Sequence, residues 1–177
     1  MTHFQPRKST APRLHRGNPT KPFGRDARDL LVVGWQEMAS LPELGVPQVP
    51  VKLDTGAVSS SIHVENIKVF RRNQNEWVRF DLGEGLADPN EDCRCESRLL
   101  GFRRIQSSSG HRTLRPVIET MIRIAGFYWT IELTLASRPT MQFPVLIGRD
   151  ALSGRCLVDC GQTFVAHSRY TTMQREV

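Results

Sequence analysis

The chain has 177 residues, enough for one globular domain with a tail but not for two full domains. A hydrophobic fraction of 39% and a charged fraction of 24% are ordinary for a soluble globular protein. No apolar run approaches the ~20 residues of a membrane helix, and no apolar secretion signal opens the chain. We therefore expect a cytoplasmic protein with no membrane partner.

The net charge of +6 is concentrated at the N-terminus. Residues 1–28 hold seven of the 24 Lys and Arg side chains and one of the 18 acids, which leaves residues 29–177 with 17 of each. Residues 1–28 also lack apolar periodicity, so they are predicted to form a disordered basic arm before a domain at 29–177. The arm could contact an acidic partner, but a charge-balanced domain does not indicate nucleic-acid binding.

The four cysteines are too few and too irregularly spaced for a disulfide scaffold. Cys93 and Cys95 lie in an acidic segment, and Cys156 and Cys160 flank an apolar run. Free thiols in a reducing compartment are the simpler interpretation. A four-thiolate zinc site stays open as an alternative, although neither pair has C-x-x-C spacing.

In the first half of the chain, strand-like runs alternate with turn residues. An apolar strand is predicted from Leu30 to Val33, ending at Gly34-Trp35, and a turn at residues 41–45 separates it from a strand at Val49 to Leu53. The runs Ile67 to Phe70 and Trp77 to Leu82 predict a hairpin. Residues 83–97 are acidic and are predicted to be a loop insertion.

The second half continues the pattern with hardly any helical periodicity. Two hairpins are predicted, one with arms at 102–105 and 113–117 and one at 120–135 that turns at Ala125-Gly126. A strand at 141–147, a short helix near 150–152, and strands at 156–158 and 164–166 follow. The predicted fold is therefore all-β, most simply a small closed barrel with a short C-terminal helix.

Asp54-Thr55-Gly56 is the most informative tripeptide, because it places an acid on a tight loop directly after an apolar strand. Gly56 allows the backbone to turn and to approach a neighbouring chain segment. The hydroxyl groups of Thr55 and Ser59 could fix the loop or the carboxylate. Considered alone, the tripeptide occurs by chance and an ordinary β-turn explains it well.

A second segment, Pro144 to Asp150, adds specificity to the first. Together they resemble the retropepsin family of aspartic peptidases, which pair an Asp-Thr-Gly-Ala loop with a later apolar-apolar-Gly segment. The resemblance implies that the later strand packs beneath the catalytic loop and that its glycine lets two chain segments cross closely. The matching residues are Asp54, Thr55, Gly56 and Ala57, then Leu146, Ile147, Gly148 and Arg149.

The chain is also similar to a bacterial group of small retropepsin-like proteins that has carried the label ATP-dependent zinc protease. The sequence has neither an H-E-x-x-H helix for zinc nor a P-loop for ATP phosphates, and His63 and Glu65 are interpreted as a surface pair. No metal or cofactor is expected. The resemblance covers about residues 30–165 and is carried by residues 33–35, 52–57, 77–80, 129–135, 146–152 and 157–159.

The resemblance implies a homodimer, because an aspartic peptidase needs two carboxylates that share one proton and this sequence has a single Asp-Thr-Gly. Asp54 of each chain would activate water between them. By analogy with the family, Thr55 would reach across the two-fold axis. The predicted supporting residues of the catalytic loop are Thr55, Gly56, Ala57, Ser59, Ile147 and Gly148.

Retropepsins close a β-hairpin flap over the substrate, and the equivalent hairpin here spans about 102–116. Its tip has three serines and one glycine, and its arms are basic, which favours acidic peptides because guanidinium groups bind carboxylates bidentately. Members of the bacterial group are often encoded near ATP-grasp ligases that append glutamate to proteins, so glutamate-rich tails are a candidate substrate. The predicted substrate-binding residues are Arg103, Arg104, Ser108, Gly110, Arg112 and Arg115.

Three alternatives stay open at the sequence level. The hairpin could be a plain surface hairpin whose charges protect a β-edge from aggregation. The barrel could be a non-catalytic module that binds acidic peptides. Nucleic-acid binding through residues 1–28 is a third and weaker possibility, because the rest of the chain has no recognised binding motif.

Overall fold

The computed structural model describes residues 30–87, 92–106, 110, 112–139 and 142–168. The predicted basic arm at 1–28 and the flap-tip residue Ser108 lie outside the described residues, so neither prediction is tested.

The described chain is almost entirely β-structure. A single turn of 3-10 helix, Pro42–Leu44, and a short α-helix, α1 (Arg149–Leu152), interrupt the strands, and residues 165–168 form a last helical turn. The strands are β1 (Leu31–Leu41), β2 (Val46–Leu53), β3 (Ser60–Arg72), β4 (Asn75–Leu82), β5 (Arg94–Arg98), β6 (Gly101–Gln106), β7 (Arg112–Ile124), β8 (Phe127–Ala136), β9 (Val145–Ile147) and β10 (Cys156–Thr163).

Six of these strands close into a barrel, as predicted. The order is β1-β2-β9-β3-β8-β7, and antiparallel pairing of β7 with β1, at Ala39 with Ile124 and Ser40 with Arg123, closes the ring. β10 adds to the outside of β1 in parallel, and β6 extends the sheet beyond β7. Side chains that alternate inward along these strands form one apolar core, with Val51, Ile62, Ile118, Leu133 and Ile147 fully buried.

Two-residue turns connect two of the predicted hairpins. Asn73-Gln74 joins β3 to β4 and Ala125-Gly126 joins β7 to β8, and all four residues have positive φ. Such turns match the right-handed twist of the flanking strands. Both predicted hairpins are therefore confirmed.

A second, smaller sheet grows from the barrel where β3 continues beyond it and pairs with β4, which pairs with β5. The prediction of a loop throughout residues 83–97 was wrong from Arg94 onward, because Arg94–Arg98 is a strand. Its polar composition resembles a loop, but β5 pairs with β4 along its whole length, which satisfies the backbone groups on that side.

Two strand limits also differ from the prediction. β1 does not end at Gly34-Trp35 but continues to Leu41. The strand predicted at 164–166 was wrong, since β10 ends at Thr163 and a helical turn follows. The helical turn is held by the fully buried Glu37 of β1. Its Oε1 accepts hydrogen bonds from the N–H of Gly34 at 2.7 Å and from the N–H of Ala166 at 2.8 Å.

Within the described residues, no helix combines the length and the apolar character that crossing a membrane requires.

Candidate active site

Asp54 lies where β2 leaves the barrel, at the start of a loop that returns to the barrel as β3. β9 is inserted between these two strands, in parallel with β2 at Leu53 and Ile147 and antiparallel to β3 at Ser61 and Leu146. The N–H of Asp54 donates to the carbonyl oxygen of Ile147 at 2.8 Å. The acid is thus attached directly to the strand beneath it, which is the arrangement expected for Ile147.

The loop fixes one oxygen of the Asp54 carboxylate. Oδ1 accepts hydrogen bonds from the N–H groups of Gly56 at 3.1 Å and Ala57 at 3.3 Å, while the carbonyl of Asp54 also accepts from Ala57 at 3.2 Å. The side chain of Asp54 is 25% exposed, and Thr55 and Gly56 are exposed. The carboxylate is therefore held in one orientation at the surface, with Oδ2 turned away from the loop amides.

Gly148 allows the close crossing beneath the loop that was predicted for it. A Cβ atom at this position would lie 2.6 Å from the carbonyl oxygen of Val58 and 2.6 Å from the carbonyl carbon of Ser59. The N–H of Gly148 donates to Ser60 Oγ at 3.1 Å. Only a residue without a side chain fits between these backbone atoms.

The start of α1 holds the loop from the other side. The N–H of Arg149 donates to the carbonyl of Ala57 at 2.9 Å, and that of Asp150 donates to Val58 at 3.0 Å. The guanidinium group of Arg149 also donates to the carbonyls of Thr55 at 2.8 Å and Gly56 at 3.0 Å. Arg149 matches the family pattern but had no predicted role. In the structure its hydrogen bonds hold the loop in place.

Lys52 is a neighbour of Asp54 that belongs to the matching residues 52–57 but had no predicted role at the site. Its Nζ lies 3.4 Å from Asp54 Oδ2, and its side chain is 41% exposed. The signal was available, because residues two apart on a strand project from the same face. Lys52 and Asp54 therefore share the outer face, while Val51 and Leu53 point into the core.

The predicted flap is a hairpin of β6 and β7 whose arginines lie on two faces. Arg103 pairs with Arg115 across the strands, and both are partly buried, whereas Arg104 and Arg112 are exposed on the opposite face. Gly110, at the turn, has a φ of +81°. The four arginines thus do not form one surface, and the role of the six predicted flap residues in substrate binding stays a prediction.

Arg103 connects the flap to the catalytic loop. Its Nη1 donates to Ser59 Oγ at 3.0 Å and lies 3.8 Å from Asp150 Oδ2, and its Nη2 pairs with the carboxylate of Glu132. Ser59 is therefore bound to the flap arm and not to Asp54. Arg103 already has two acidic partners within the chain.

Arg115 and Arg138, in contrast, have no acidic partner among the described residues. Burial lowers the pKa of Arg115, and the nearby charge of Arg138 lowers it further. The backbone of Arg138 is fixed, because its N–H donates to His63 Nδ1 at 3.0 Å. These two guanidinium groups form a positive patch beside the flap that is not paired with an acid of the described residues.

Neither His63 nor the four cysteines form a metal site in the part of the chain that the structure describes. That part contains no group of three His, Cys, Asp or Glu side chains able to hold a metal ion. The predicted pair of His63 and Glu65 is present, with Nε2 4.0 Å from Oε1, but its placement at the surface was wrong for His63, which is 6% exposed and packs against Gly83. All four cysteines are free, and burial raises the pKa of Cys95 to about 11 and of Cys156 to about 12.

Comparison with known proteins gives one family. The model of the RimB-like family, described as the retropepsin-like aspartic endopeptidase RimB, matches residues 32–169. The crystal structure of a Legionella pneumophila protein of unknown function aligns with a TM-score of 0.63 and 28% identity, and it covers 76% of this chain and 97% of that chain.

Curated relatives carry a different name. Proteins from Shewanella halifaxensis and Desulfotalea psychrophila, each named probable alpha-L-glutamate ligase, are 39% identical over 133 and 128 residues. These matches cover 75% and 72% of this chain but only 29% and 28% of the relatives. The chain therefore spans less than a third of the length of the ligase-named proteins.

Proposed function

Since the chain belongs to the RimB-like family of retropepsin-like aspartic endopeptidases, we propose that it is an aspartic peptidase that acts as a homodimer. Its active site would consist of Asp54 from each of two chains. The observation that carries the proposal is the state of the Asp54 carboxylate, which is partly exposed and has only one oxygen bound by its loop.

A second chain is needed because one carboxylate cannot accept and donate a proton in the same step. Within the described residues, the Asp54 side chain contacts Lys52 and the amides of its own loop, and no second acid is bound to it. Thr55 and Gly56 are exposed beside it, so a twin loop could approach across a two-fold axis. Two carboxylates ~3 Å apart cannot both be ionised, so the pair shares one proton.

The reaction then follows from the two protonation states. The ionised carboxylate takes a proton from water as the water oxygen bonds to the amide carbon, and the protonated carboxyl group donates its proton to the carbonyl oxygen. In the second step the ionised carboxylate takes a proton from one hydroxyl of the tetrahedral gem-diol, the C–N bond breaks as the C=O bond forms, and the leaving nitrogen receives a proton from the protonated carboxyl group. The products are a carboxylic acid and an amine, and the pair again holds one proton.

Acidic peptides, with glutamate-rich tails first among them, are the proposed substrates. The positive patch of Arg115 and Arg138 beside the flap supports this choice, because guanidinium groups attract carboxylates and these two have no acidic partner in the part of the chain that the structure describes. The relatives' name is also consistent with it, since a ligase that extends glutamate chains and a peptidase that cuts them would share a substrate. We do not propose that this shorter chain catalyses ligation, since the match covers only 29% of the ligase-named relative.

The substitution Asp54→Asn tests the proposal. It keeps the size of the side chain and removes the group that accepts the proton, so cleavage of a glutamate-rich peptide should fall by at least ~10³-fold while the thermal unfolding temperature and the dimer mass stay nearly unchanged. Cleavage would be followed by mass spectrometry over a range of pH values, which also identifies the broken bond.

Asp92→Asn is the matched control, because Asp92 is exposed and its Oδ1 accepts a hydrogen bond from the N–H of Arg94, far along the chain from the loop. It should cleave like the unsubstituted chain. Cleavage that survives in Asp54→Asn would exclude the proposed chemistry. Binding of the peptide without turnover by the unsubstituted chain would favour the non-catalytic peptide-binding module instead.

A further inference from the structure

Lys52 places a positive charge at the one oxygen of Asp54 that the loop leaves available. Its ammonium group lies 3.4 Å from Oδ2, whereas Oδ1 is bound by the amides of Gly56 and Ala57. In the proposed reaction the water and the cleaved amide must contact the carboxylate at its available oxygen. Whatever binds there is therefore within a few ångströms of Lys52.

The charge at the centre of the proposed dimer does not balance without an anion. Two Asp54 carboxylates that share one proton carry a single negative charge, whereas two Lys52 side chains carry two positive charges. A substrate that brings a carboxylate next to the cleaved bond would compensate this excess, and a basic substrate would increase it.

Lys52 is also free to move. It is 41% exposed, and Asp54 is its single ion-pair partner among the described residues. A lysine side chain carries its charge on a flexible four-carbon stem with three donors, so it can exchange one carboxylate for another nearby. Arg103, by comparison, is held by Ser59, Glu132 and Asp150.

We propose that Lys52 is a specificity-determining residue of the site, whose ammonium group binds a carboxylate on the substrate residue next to the cleaved bond. This inference depends on the proposed peptidase function for the position of that bond. It assigns the acidic preference at the centre of the site to Lys52, not to the exposed flap arginines Arg104 and Arg112.

Two peptides that differ only in Glu or Gln at the positions flanking the cleaved bond provide the test. The unsubstituted chain should prefer the Glu peptide, and Lys52→Met should reduce that preference in kcat/KM by about tenfold, mainly through KM, as for a lost charge-assisted hydrogen bond. Lys52→Arg should retain most of the preference. Lys68→Met, which removes an exposed lysine from β3, is the matched control and should leave the preference unchanged.

The outcomes separate this inference from the proposed function. An equal loss on both peptides in Lys52→Met, with kcat lowered and KM unchanged, would show that Lys52 acts only through Asp54 and would overturn the inference. A preserved Glu preference would overturn it as well. If no peptide is cleaved, the peptidase proposal fails, and the ratio of Kd values for the two peptides, measured by fluorescence anisotropy on the same variants, decides the role of Lys52.

Discussion

Gly148 shows how one residue without a side chain determines the position of the catalytic loop. Its backbone has φ −86° and ψ 175°, a conformation that any residue adopts. The reason for a glycine is therefore steric, because the chain segments that cross at this point leave no space for a Cβ atom. A larger residue must move the loop that holds Asp54.

We predict that Gly148→Ala lowers the free energy of unfolding by about 1–3 kcal/mol, as for overpacking against backbone atoms that cannot give way. The clashing atoms are the carbonyl groups of Val58 and Ser59, both at 2.6 Å. Urea denaturation measures the loss. The value of kcat/KM should fall by more than the loss of folded protein explains, because the displaced loop carries Asp54.

Gly161→Ala is the control for this prediction. Its new Cβ atom would approach only the side-chain Oδ1 of Asp159, at 3.4 Å, and that atom can move. The control should change the free energy of unfolding by less than about 0.5 kcal/mol. Equal effects at the two glycines would show that the close crossing at Gly148 is not what stabilises the loop.

Individual residues also show why part of the site could be predicted from the sequence and part could not. Asp54 and Gly148 follow from short sequence patterns, because a tight loop and a close crossing need particular residue types at fixed places. The partners of Arg103 do not, since Ser59 and Glu132 are 44 and 29 residues away in the sequence. Only the pairing of distant strands brings these groups together.

At the scale of the element, β5 was missed because its pattern is that of a strand with one polar face. Glu96 lies opposite Arg79 of β4 in the outer face of the small sheet, and Cys95 lies opposite the buried Phe80. Local composition suggested a loop, whereas the cross-strand partners decide the conformation. The segment wrongly predicted as a strand at 164–166 is the opposite case, a strand-like pattern that forms a helical turn. There the N–H of Ala166 donates to the buried carboxylate of Glu37.

The outer face of the small sheet is held by a charged network around Glu96. Arg72 and Arg79 both donate to its carboxylate, and the guanidinium group of Arg72 also stacks on Phe70 and Trp77 at 5.1 and 5.0 Å from the ring centroids. Burial alone would raise the pKa of Glu96, but the hydrogen bonds and charges of the two arginines outweigh it and lower the pKa below its usual value.

We predict that Glu96→Gln lowers the free energy of unfolding by about 1 kcal/mol at neutral pH. The folded-state pKa of Glu96 is lower than its unfolded value, so the ion pairs stabilise the fold above the unfolded pKa, and their contribution is lost as the pH falls through the folded pKa. The difference between variant and unsubstituted chain should therefore shrink toward zero in acid, as urea denaturation at several pH values would show.

Glu76→Gln is the matched control, because Glu76 lies on the same sheet and has no ion pair within the described ranges. Its effect on the free energy of unfolding should be small and should not change with pH. A Glu96→Gln deficit that persists undiminished in acid would mean that the carboxylate charge is not the source of the stability.

At the scale of the whole molecule, the barrel determines which surfaces are available to a second chain. Six of the described strands form a closed ring, and the unpaired edges of the described sheets lie outside it, on β10, on β6 and on β5. Asp54, Thr55 and Gly56 project from the barrel at the loop between β2 and β3. The fold class followed from the strand pattern, but the assembly depends on surfaces that no local pattern encodes.

The last prediction concerns that assembly and uses a mixture of two chains. If each active site needs Asp54 from both chains, an Asp54→Asn chain that exchanges freely will pair with active chains and inactivate them. Adding an equal amount of Asp54→Asn to a fixed amount of the unsubstituted chain should reduce activity to about half, because random pairing leaves half of the active chains in mixed dimers. A larger excess should reduce it further, in proportion to the fraction of unsubstituted chains.

The measurement is the initial rate of peptide cleavage after the mixture has equilibrated, with native mass spectrometry of isotope-labelled chains to count the mixed dimers. Lys68→Met serves as a control for mixing, because it lacks a change at the site and should raise the rate with the total chain concentration. A rate that is unaffected by Asp54→Asn while mixed dimers are present would show that one Asp54 suffices. The second proton-transfer group would then have to come from the same chain, and the active site would not need a two-fold axis.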